Sequence, residues 1–424
     1  MKILHTSDWH LGRALYGRKR YMEFEHFLDW LLETIVQEQA DVLLVAGDVF
    51  DTGTPGNSAQ MLYYRFLHRV AASCCRHVVI IAGNHDSPSF LNAPRELLKA
   101  LDVHVVGNLT EDLNDELLVL NNAQGNPEMV VCAVPYLRDR DIRVAEAGES
   151  IADKERKLIE GIRNHYAGIV SLARQKRAAL GVDIPVVAMG HLFTAGGKTV
   201  DGDGVRELYV GSLAHVAANI FPDDLAYVAL GHLHVPQKVG DFGSVRYSGS
   251  PLPMGFGEAG QQKSVVIVEF FSPETAGGMQ SNEQAAGWHG RSLIKLIPVP
   301  VFQRLERIQG DLTLILNRIR ELAENDTQAW LEVIYEGDAV THAGGLRQHL
   351  DDAVSGTRLD ILCVKNNRAM NRVLHRTCDQ ETLDDLNVND VFARCLAAHG
   401  VPQTQQPELI AAYDEIVHAL YAAD

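Results

Sequence analysis

At 424 residues the chain is longer than one hydrophobic core usually organises, so two or three domains are expected. Its 46% hydrophobic and 7% aromatic content is ordinary for a soluble globular protein. A formal net charge of -17 argues against a typical nucleic-acid binder, unless basic residues cluster or metal ions carry local positive charge.

In chain order, the run KILHTSD reads as a strand. EFEHFLDWLLETIVQEQ follows, with Phe24, Phe27, Leu28, Leu31, Leu32 and Ile35 at helical spacing. DVLLVAGD is a second strand, SAQMLYYRFLHRVAAS a helix, HVVIIAGN a third strand and RELLKAL a helix. This β-α-β-α rhythm implies parallel strands joined by helical crossovers. Later runs (MVVCAVPYL, PVVAMGH, AYVALGH, SVRYSGS, KSVVIVEF) lie closer together with fewer helices between them, which fits a partly antiparallel second sheet.

Residues 272–290 are rich in Gly, Ser, Gln and Asn and read as a linker. The pattern then restarts as a small α+β domain, expected over residues 291–370, with Asp311 as a helix cap. Residues 379–424 read as a helical tail, with Leu409, Ile410, Tyr413, Ile416, Val417 and Leu420 on one stripe. That stripe packs on its own domain or docks a partner. The first domain is expected over residues 1–271. The first ten residues lack the apolar core of a signal peptide, and no run reaches the ~18 apolar residues of a membrane span. Cys74, Cys75, Cys132, Cys363, Cys378 and Cys395 match no zinc spacing and are expected as free thiols in a reducing cytoplasm.

Four strands share one ending: an apolar run, a glycine, then a polar donor. They stop on Asp48, Asn84, His191 and His232. The first strand runs into Asp8 and His10 without the glycine, and His234 follows His232 by two. In α/β sheets, sites form beyond the carboxyl ends of the strands, so these groups are expected at one place. A glycine there permits a sharp turn and close backbone approach. Two carboxylates, four imidazoles and one amide oxygen are too many donors for one tetrahedral ion. They suit two ions about 3.5–4 Å apart. The N and O mixture fits manganese, iron or zinc better than magnesium. His5, inside its strand, reads as a satisfied core residue.

The motifs Asp8-Trp9-His10, Gly47-Asp48-Val49-Phe50-Asp51, Gly83-Asn84-His85-Asp86, Gly190-His191 and Gly231-His232-Leu233-His234 occur in this order. In them the chain resembles the calcineurin-like metallophosphoesterases, most closely a bacterial DNA-processing branch, strongly over residues 1 to 270. The resemblance implies an α/β fold: a β-sandwich flanked by helices, with a small α+β capping domain and a helical tail. It implies one ion on Asp8, His10, Asp48 and His234, and another on Asp48, Asn84, His191 and His232, with manganese the usual metal. His85 would face the scissile phosphate without ligating. The implied activity is ATP-assisted 3′-to-5′ exonuclease action on duplex ends and endonuclease action on single strands and hairpins. The implied assembly is a homodimer joined to an ATPase partner that binds the tail. Asp51 either assists catalysis or bonds nearby turn backbone.

Basic residues cluster at Arg13, Arg18, Lys19 and Arg20, with Tyr16 among them, and again at Arg138, Arg140 and Arg143. Such groups contact DNA phosphates without reading sequence. A phosphoprotein or small-phosphodiester hydrolase is the alternative. Phosphoprotein phosphatases typically carry an arginine after the second motif, where Thr52 stands here.

Overall fold

The structure, a computed structural model, describes residues 1–143, 149–194, 220–240, 242–272, 288–337 and 345–366, with Phe392, Leu396, Gln406, Leu409, Ile410 and Tyr413. The chain divides into two units, Met1–Arg304 and Leu305–Asp424.

In the first unit the strands are β1 (Lys2–Thr6), β2 (Ala14–Leu15), β3 (Arg18–Lys19), β4 (Val42–Ala46), β5 (His77–Ile81), β6 (Val103–Val106), β7 (Leu117–Asn121), β8 (Pro127–Ala133), β9 (Val186–His191), β10 (Tyr227–Gly231), β11 (Gln237–Val239), β12 (Phe242–Tyr247), β13 (Ser264–Phe271) and β14 (Arg291–Pro298). Its helices are α1 (Tyr21–Glu38), α2 (Asn57–Ala71), α3 (Pro88–Asn92), α4 (Arg95–Lys99), α5 (Asp139–Ile142) and α6 (Ile151–Leu180). Two six-stranded sheets form, in the orders β14-β13-β1-β4-β5-β6 and β11-β12-β10-β9-β8-β7. The inner strands of each run parallel. Antiparallel pairing is confined to the edges of both sheets. The expectation of a partly antiparallel second sheet is thus met only at its margins.

The sheets face each other, and their period-2 pattern explains why. Ile3, Val42, Leu44, Val79 and Ile81 point to the second sheet and meet Met129, Val131, Val187 and Tyr227. The alternate residues Leu4, Leu43, Val45, Val78 and Ile80 point outward against Phe24, Phe27, Leu31, Leu62 and Phe66 of α1 and α2. Strands buried on both faces read as unbroken apolar runs, which is why VLLV and VVII do not alternate. On the outside of the second sheet, Leu158, Ile162, Tyr166, Ile169 and Ala173 of α6 cover Val130, Val186 and Val228. The layers are therefore helix, sheet, sheet, helix.

Helix α6 went unpredicted, although its signals are present. Ser150 caps it by accepting from Asp153 N at 3.1 Å, and Gly181 ends it at φ 66°. Strand β14 corrects the expected domain boundary. It pairs along its whole length with β13, from Ser264 opposite Pro298 to Phe271 opposite Arg291. Residues 291–298 thus belong to the first sheet, and the second unit begins only at Leu305.

The second unit starts one residue into β15 (Arg304–Gly310) and continues with α7 (Leu312–Glu324), β16 (Ala329–Tyr335), α8 (Gly345–Val354) and β17 (Leu359–Asn366). The sheet order is β15-β16-β17. Asp311 caps α7 as expected, accepting from Leu314 N at 2.9 Å. Ile308, Ile315, Ile319, Leu331 and Val333 form its core. The rest of the tail stripe lies outside the described residues. Among those described, no helix is long and apolar enough to cross a membrane. Cys74, Cys75, Cys132 and Cys363 are free; Cys75 and Cys132 are buried and Cys74 is exposed.

Candidate metal centre

The seven predicted donors come together where the carboxyl ends of β1, β4 and β5 in one sheet meet those of β9 and β10 in the other. The strand endings alone imply one sheet edge; the structure uses a seam between two sheets. Asp8, His10, Asp48, His191, His232 and His234 are buried, and Asn84 is half-buried.

The residue between paired donors explains the D-x-H and H-x-H spacing. Trp9 is fully buried among the helices outside the first sheet, edge-on to Phe27 and Phe66, with its indole N–H on Thr6 Oγ1 at 3.0 Å. Leu233 is fully buried in the helical layer outside the second sheet. Each apolar anchor points away from the seam and leaves its two polar neighbours in it.

Backbone conformation adds to this. Asp8, His10, Asp48 and His232 all have positive φ, at 53°, 47°, 48° and 102°. Such values are uncommon outside glycine and cost about 1–3 kcal/mol each. Two preceding glycines serve close approach. A Cβ on Gly231 would lie 1.9 Å from Ala46 O, and one on Gly83 would lie 2.1 Å from Asp48 Oδ1. At Gly231 the two sheets touch, and at Gly83 the ends of β5 and β4 touch, with no room for a side chain at either.

One group of donors is Asp8, His10 and His234, with one donor atom of each within 4.8 Å of the others. His10 Nε2 and His234 Nε2 are 3.2 Å apart. In the other, Asn84 Oδ1 is 3.0 Å from both His191 Nε2 and His232 Nδ1. Asp48 Oδ2 stands between the groups, 3.6 Å from His10 Nε2 and 3.4 Å from His191 Nε2. Ligand nitrogens and oxygens about 2.0–2.2 Å from a common ion lie just over 3 Å apart, so these separations fit cation coordination. The donor set supports divalent metal ions.

Surrounding groups orient the rings. His191 Nδ1 donates to Ala46 O at 2.9 Å, which leaves Nε2 facing Asp48. His234 Nδ1 donates to Glu258 Oε1 at 3.3 Å, which turns Nε2 toward His10. Glu258 is fully buried and also accepts from Lys263 Nζ, Ser250 Oγ and Met254 N. Asp8 accepts from Ser7 Oγ at 2.5 Å and from His232 N at 2.9 Å. Glu258 and Lys263 went unpredicted. They lie in GFGEAGQQK, which has no motif, and only the folded chain brings them under His234.

The electrostatics describe a site short of positive charge. Burial would raise the Asp48 carboxyl, but His191, His10 and His85 hold it far below the usual carboxylate range. Burial would lower His191, yet Asp48 and Asp8 push it up to about 9. His232 is pushed down to about 3 by burial and by His191. The protonated imidazole at 191 supplies charge that a cation would otherwise bring.

His85 lies at this seam but is turned differently. Its N–H donates to Asp48 Oδ1 at 2.8 Å, its Nδ1 to Asp51 O at 2.8 Å, and its ring stands edge-on to His10 at 4.7 Å. Asp86 holds the loop, accepting from the N–H groups of Val49, Phe50 and Gly83. The Asp51 side chain pairs with Arg13 at 3.1 Å and His10 Nδ1 at 3.4 Å, so it braces the site through side chains.

Of the predicted phosphate contacts, Arg18 and Lys19 are exposed on the β2–β3 hairpin and Arg13 is half-buried against Asp51. Arg20 is a correction. Its side chain is fully buried, forked onto Glu23 at 3.0 and 2.7 Å, and donates to Pro253 O at 2.7 Å. All three donor nitrogens are engaged inside the fold, which leaves none for DNA. In the second basic cluster, Arg143 is clamped by Asp139 and Glu149.

The chain matches the family described as Calcineurin-like phosphoesterase over residues 1–236, and Type 5 capsule protein repressor C-terminal domain over residues 301–400. It is 34% identical over 423 residues to the SbcD subunit of nuclease SbcCD from Escherichia coli strain K12, covering 99% of this chain and 98% of that one. The SbcD subunits of Rhodobacter capsulatus and Bacillus subtilis are 39% and 38% identical, each covering 63% of this chain and 66% of the relative. With donors, spacing and sequence in agreement over nearly its whole length, the chain belongs to the calcineurin-like phosphoesterases, a family of hydrolases, and within them to the group of SbcD nuclease subunits.

Proposed function

We propose that this chain is the nuclease subunit of an SbcCD-type complex and cleaves DNA phosphodiesters with an SbcC ATPase partner. The observation that carries the reading is the convergence of seven donors from two sheets around Asp48 Oδ2. Similarity to an SbcD nuclease subunit over 99% of the chain supports the substrate class.

In this reading Asp8, His10, Asp48 and His234 hold one divalent ion, and Asp48, Asn84, His191 and His232 hold the other, with manganese as the working metal. Such a pair, when bound, activates a water for in-line attack and neutralises the leaving oxygen. Asn84 donates without charge, so Asp8 and Asp48 remain the only anionic ligands and the site stays attractive to a phosphodiester. His85 is the catalytic residue off the metals. Its Nδ1 is committed to Asp51 O, which orients the ring, and Nε2 meets the scissile phosphate or protonates the leaving oxygen. Arg13, Arg18 and Lys19 contact the DNA backbone, and Tyr16, 52% exposed between them, offers a stacking face.

The activities are ATP-assisted 3′-to-5′ exonuclease action on duplex ends and endonuclease action on single strands and hairpins, in replication, recombination and repair. SbcC binds the ATP and docks on residues 379–424, and the nuclease chain is a homodimer within a heterotetramer in the cytoplasm. The test is cleavage of hairpin and duplex-end substrates with and without SbcC, ATP and Mn²⁺. Cleavage that needs Mn²⁺ and is stimulated by SbcC with ATP is expected. Hydrolysis of small phosphodiesters with no DNA cleavage under any of these conditions would sink the reading.

A further inference from the structure

The end of the sandwich opposite the metal centre carries a second set of donors. His77 opens β5, while Asn84 lies seven residues on, about 23 Å away at the rise of a strand. Strands β5 and β6 run parallel with Val79 opposite His104, so His77 and His104 share the face that Val79, Ile81 and Val106 turn toward the second sheet. Asp102 precedes β6 in a left-handed conformation, φ 55°, and its carbonyl accepts from Val78 N at 3.0 Å. One donor atom from each of His77, Asp102 and His104 lies within 4.8 Å of the others.

The His77 ring is held in a particular tautomer. Its Nε2 is 2.9 Å from Asn121 O, at the end of β7 in the other sheet. A carbonyl only accepts, so Nε2 carries the proton and the neutral ring has its lone pair on Nδ1. That Nδ1 is buried and has no hydrogen-bond partner, and Asp102 Oδ1 stands 3.9 Å from it. With the ring in that tautomer two acceptors face one another with no donor between them, and a buried polar atom left without a partner costs about 1–3 kcal/mol. The His104 ring centroid is 6.1 Å from that of His77. Burial lowers the His104 imidazole, and His77, Lys99 and Arg95 act in the same direction against Asp102, which favours the neutral ligand form.

We propose that His77 Nδ1, Asp102 and His104 bind one divalent transition-metal ion of the zinc class. Two imidazoles with one carboxylate suit Zn²⁺, Ni²⁺ or Cu²⁺ rather than Ca²⁺ or Mg²⁺, with water in the remaining position. The backbone carbonyl on Nε2 is the outer partner that ligating histidines usually have. Tetrahedral donors lie just over 3 Å apart, so the side chains must close by about 1 Å. Asp102, with a side chain 67% exposed, has the freedom to do so. An ion here would link β5 to β6 directly and, through the His77–Asn121 bond, to the second sheet. Lys99 and Arg95 oppose the added charge and hold the affinity down.

The test is equilibrium dialysis of the full chain against Zn²⁺, with bound metal counted by elemental analysis. His104→Gln and Asp102→Asn are compared with the wild type, singly and together, with hydrolysis of a small phosphodiester followed in parallel. Each single variant is expected to lose one ion per chain, the double variant no more than either, and hydrolysis should be unchanged. Asp102→Asn is isosteric and exposed, so it keeps the test valid should His104→Gln fail to fold. An unchanged ion count, or losses that add in the double variant, would overturn the proposal; a proton rather than a metal at Nδ1 gives the first of these. The catalytic reading is judged separately, by the hydrolysis.

Discussion

The two sheets contribute unlike halves of the metal centre. The first, through β1, β4 and β5, supplies both carboxylates, the amide oxygen and one imidazole: Asp8, Asp48, Asn84 and His10. The second, through β9 and β10, supplies only imidazoles: His191, His232 and His234. The carboxylates come from one sheet and only imidazole nitrogens from the other, so neither sheet alone is a site. The centre exists only while the inter-sheet core of Ile3, Leu44, Val79, Val187 and Tyr227 holds them together.

The strongest way to break this division is at Asp48, the residue that serves both groups. Asp48→Ala should remove both ions by elemental analysis and cut hydrolysis of a small phosphodiester by on the order of 10³-fold or more. His191→Ala, from the second sheet, should remove one ion and leave the other; equal losses in the two variants would show that Asp48 is not shared. Next is His85. His85→Ala should keep both ions and lower turnover by roughly 10²–10⁴-fold, the range of a general acid. Loss of metal on that change would make His85 a ligand.

Glu258 probes the second half. Glu258→Gln keeps the shape and removes the charge behind His234. Metal affinity should fall by about 10–100-fold, the usual effect of an outer partner, and calorimetric titration with Mn²⁺ reads it. The smallest expected effect concerns His5, which ties the sheets through Tyr227 Oη at 3.0 Å. Burial pushes the His5 imidazole down to about 3 from its ordinary 6.5. Its folded pKa is depressed, so the unfolded chain takes up a proton first as pH falls. Its stability contribution is complete above pH 6.5 and declines by about 1.4 kcal/mol per pH unit toward pH 3. Urea unfolding of the wild type and His5→Gln between pH 7 and 5 should show a steeper decline in the wild type.

All seven donors were legible because each sits in a short motif at a strand end, where chain-local grammar survives. Glu258 was not, since its partner His234 is 24 residues away and nothing in the intervening sequence pairs them. Arg20 was misread for the opposite reason. It stands in a run of basic residues, but Glu23 one helical turn on captures it. A run of charge says nothing of which member faces inward. Strand β14 was placed in the wrong unit because its partner β13 lies across a Gly- and Ser-rich segment that looked like a boundary. Helix α6 shows a readable signal passed over, since Leu158, Ile162, Tyr166, Ile169 and Ala173 keep helical spacing.

The left-handed backbone at Asp8, His10 and Asp48 has a practical consequence for anyone improving this protein. Glycine there would relieve the backbone strain but would strip the acceptors from the His232 and His85 N–H groups that Asp8 and Asp48 hold, so heat resistance alone is a poor guide at these positions. Directed evolution of this scaffold must therefore select on turnover in every round, because on the proposed function its strained residues are the ones that hold the metals.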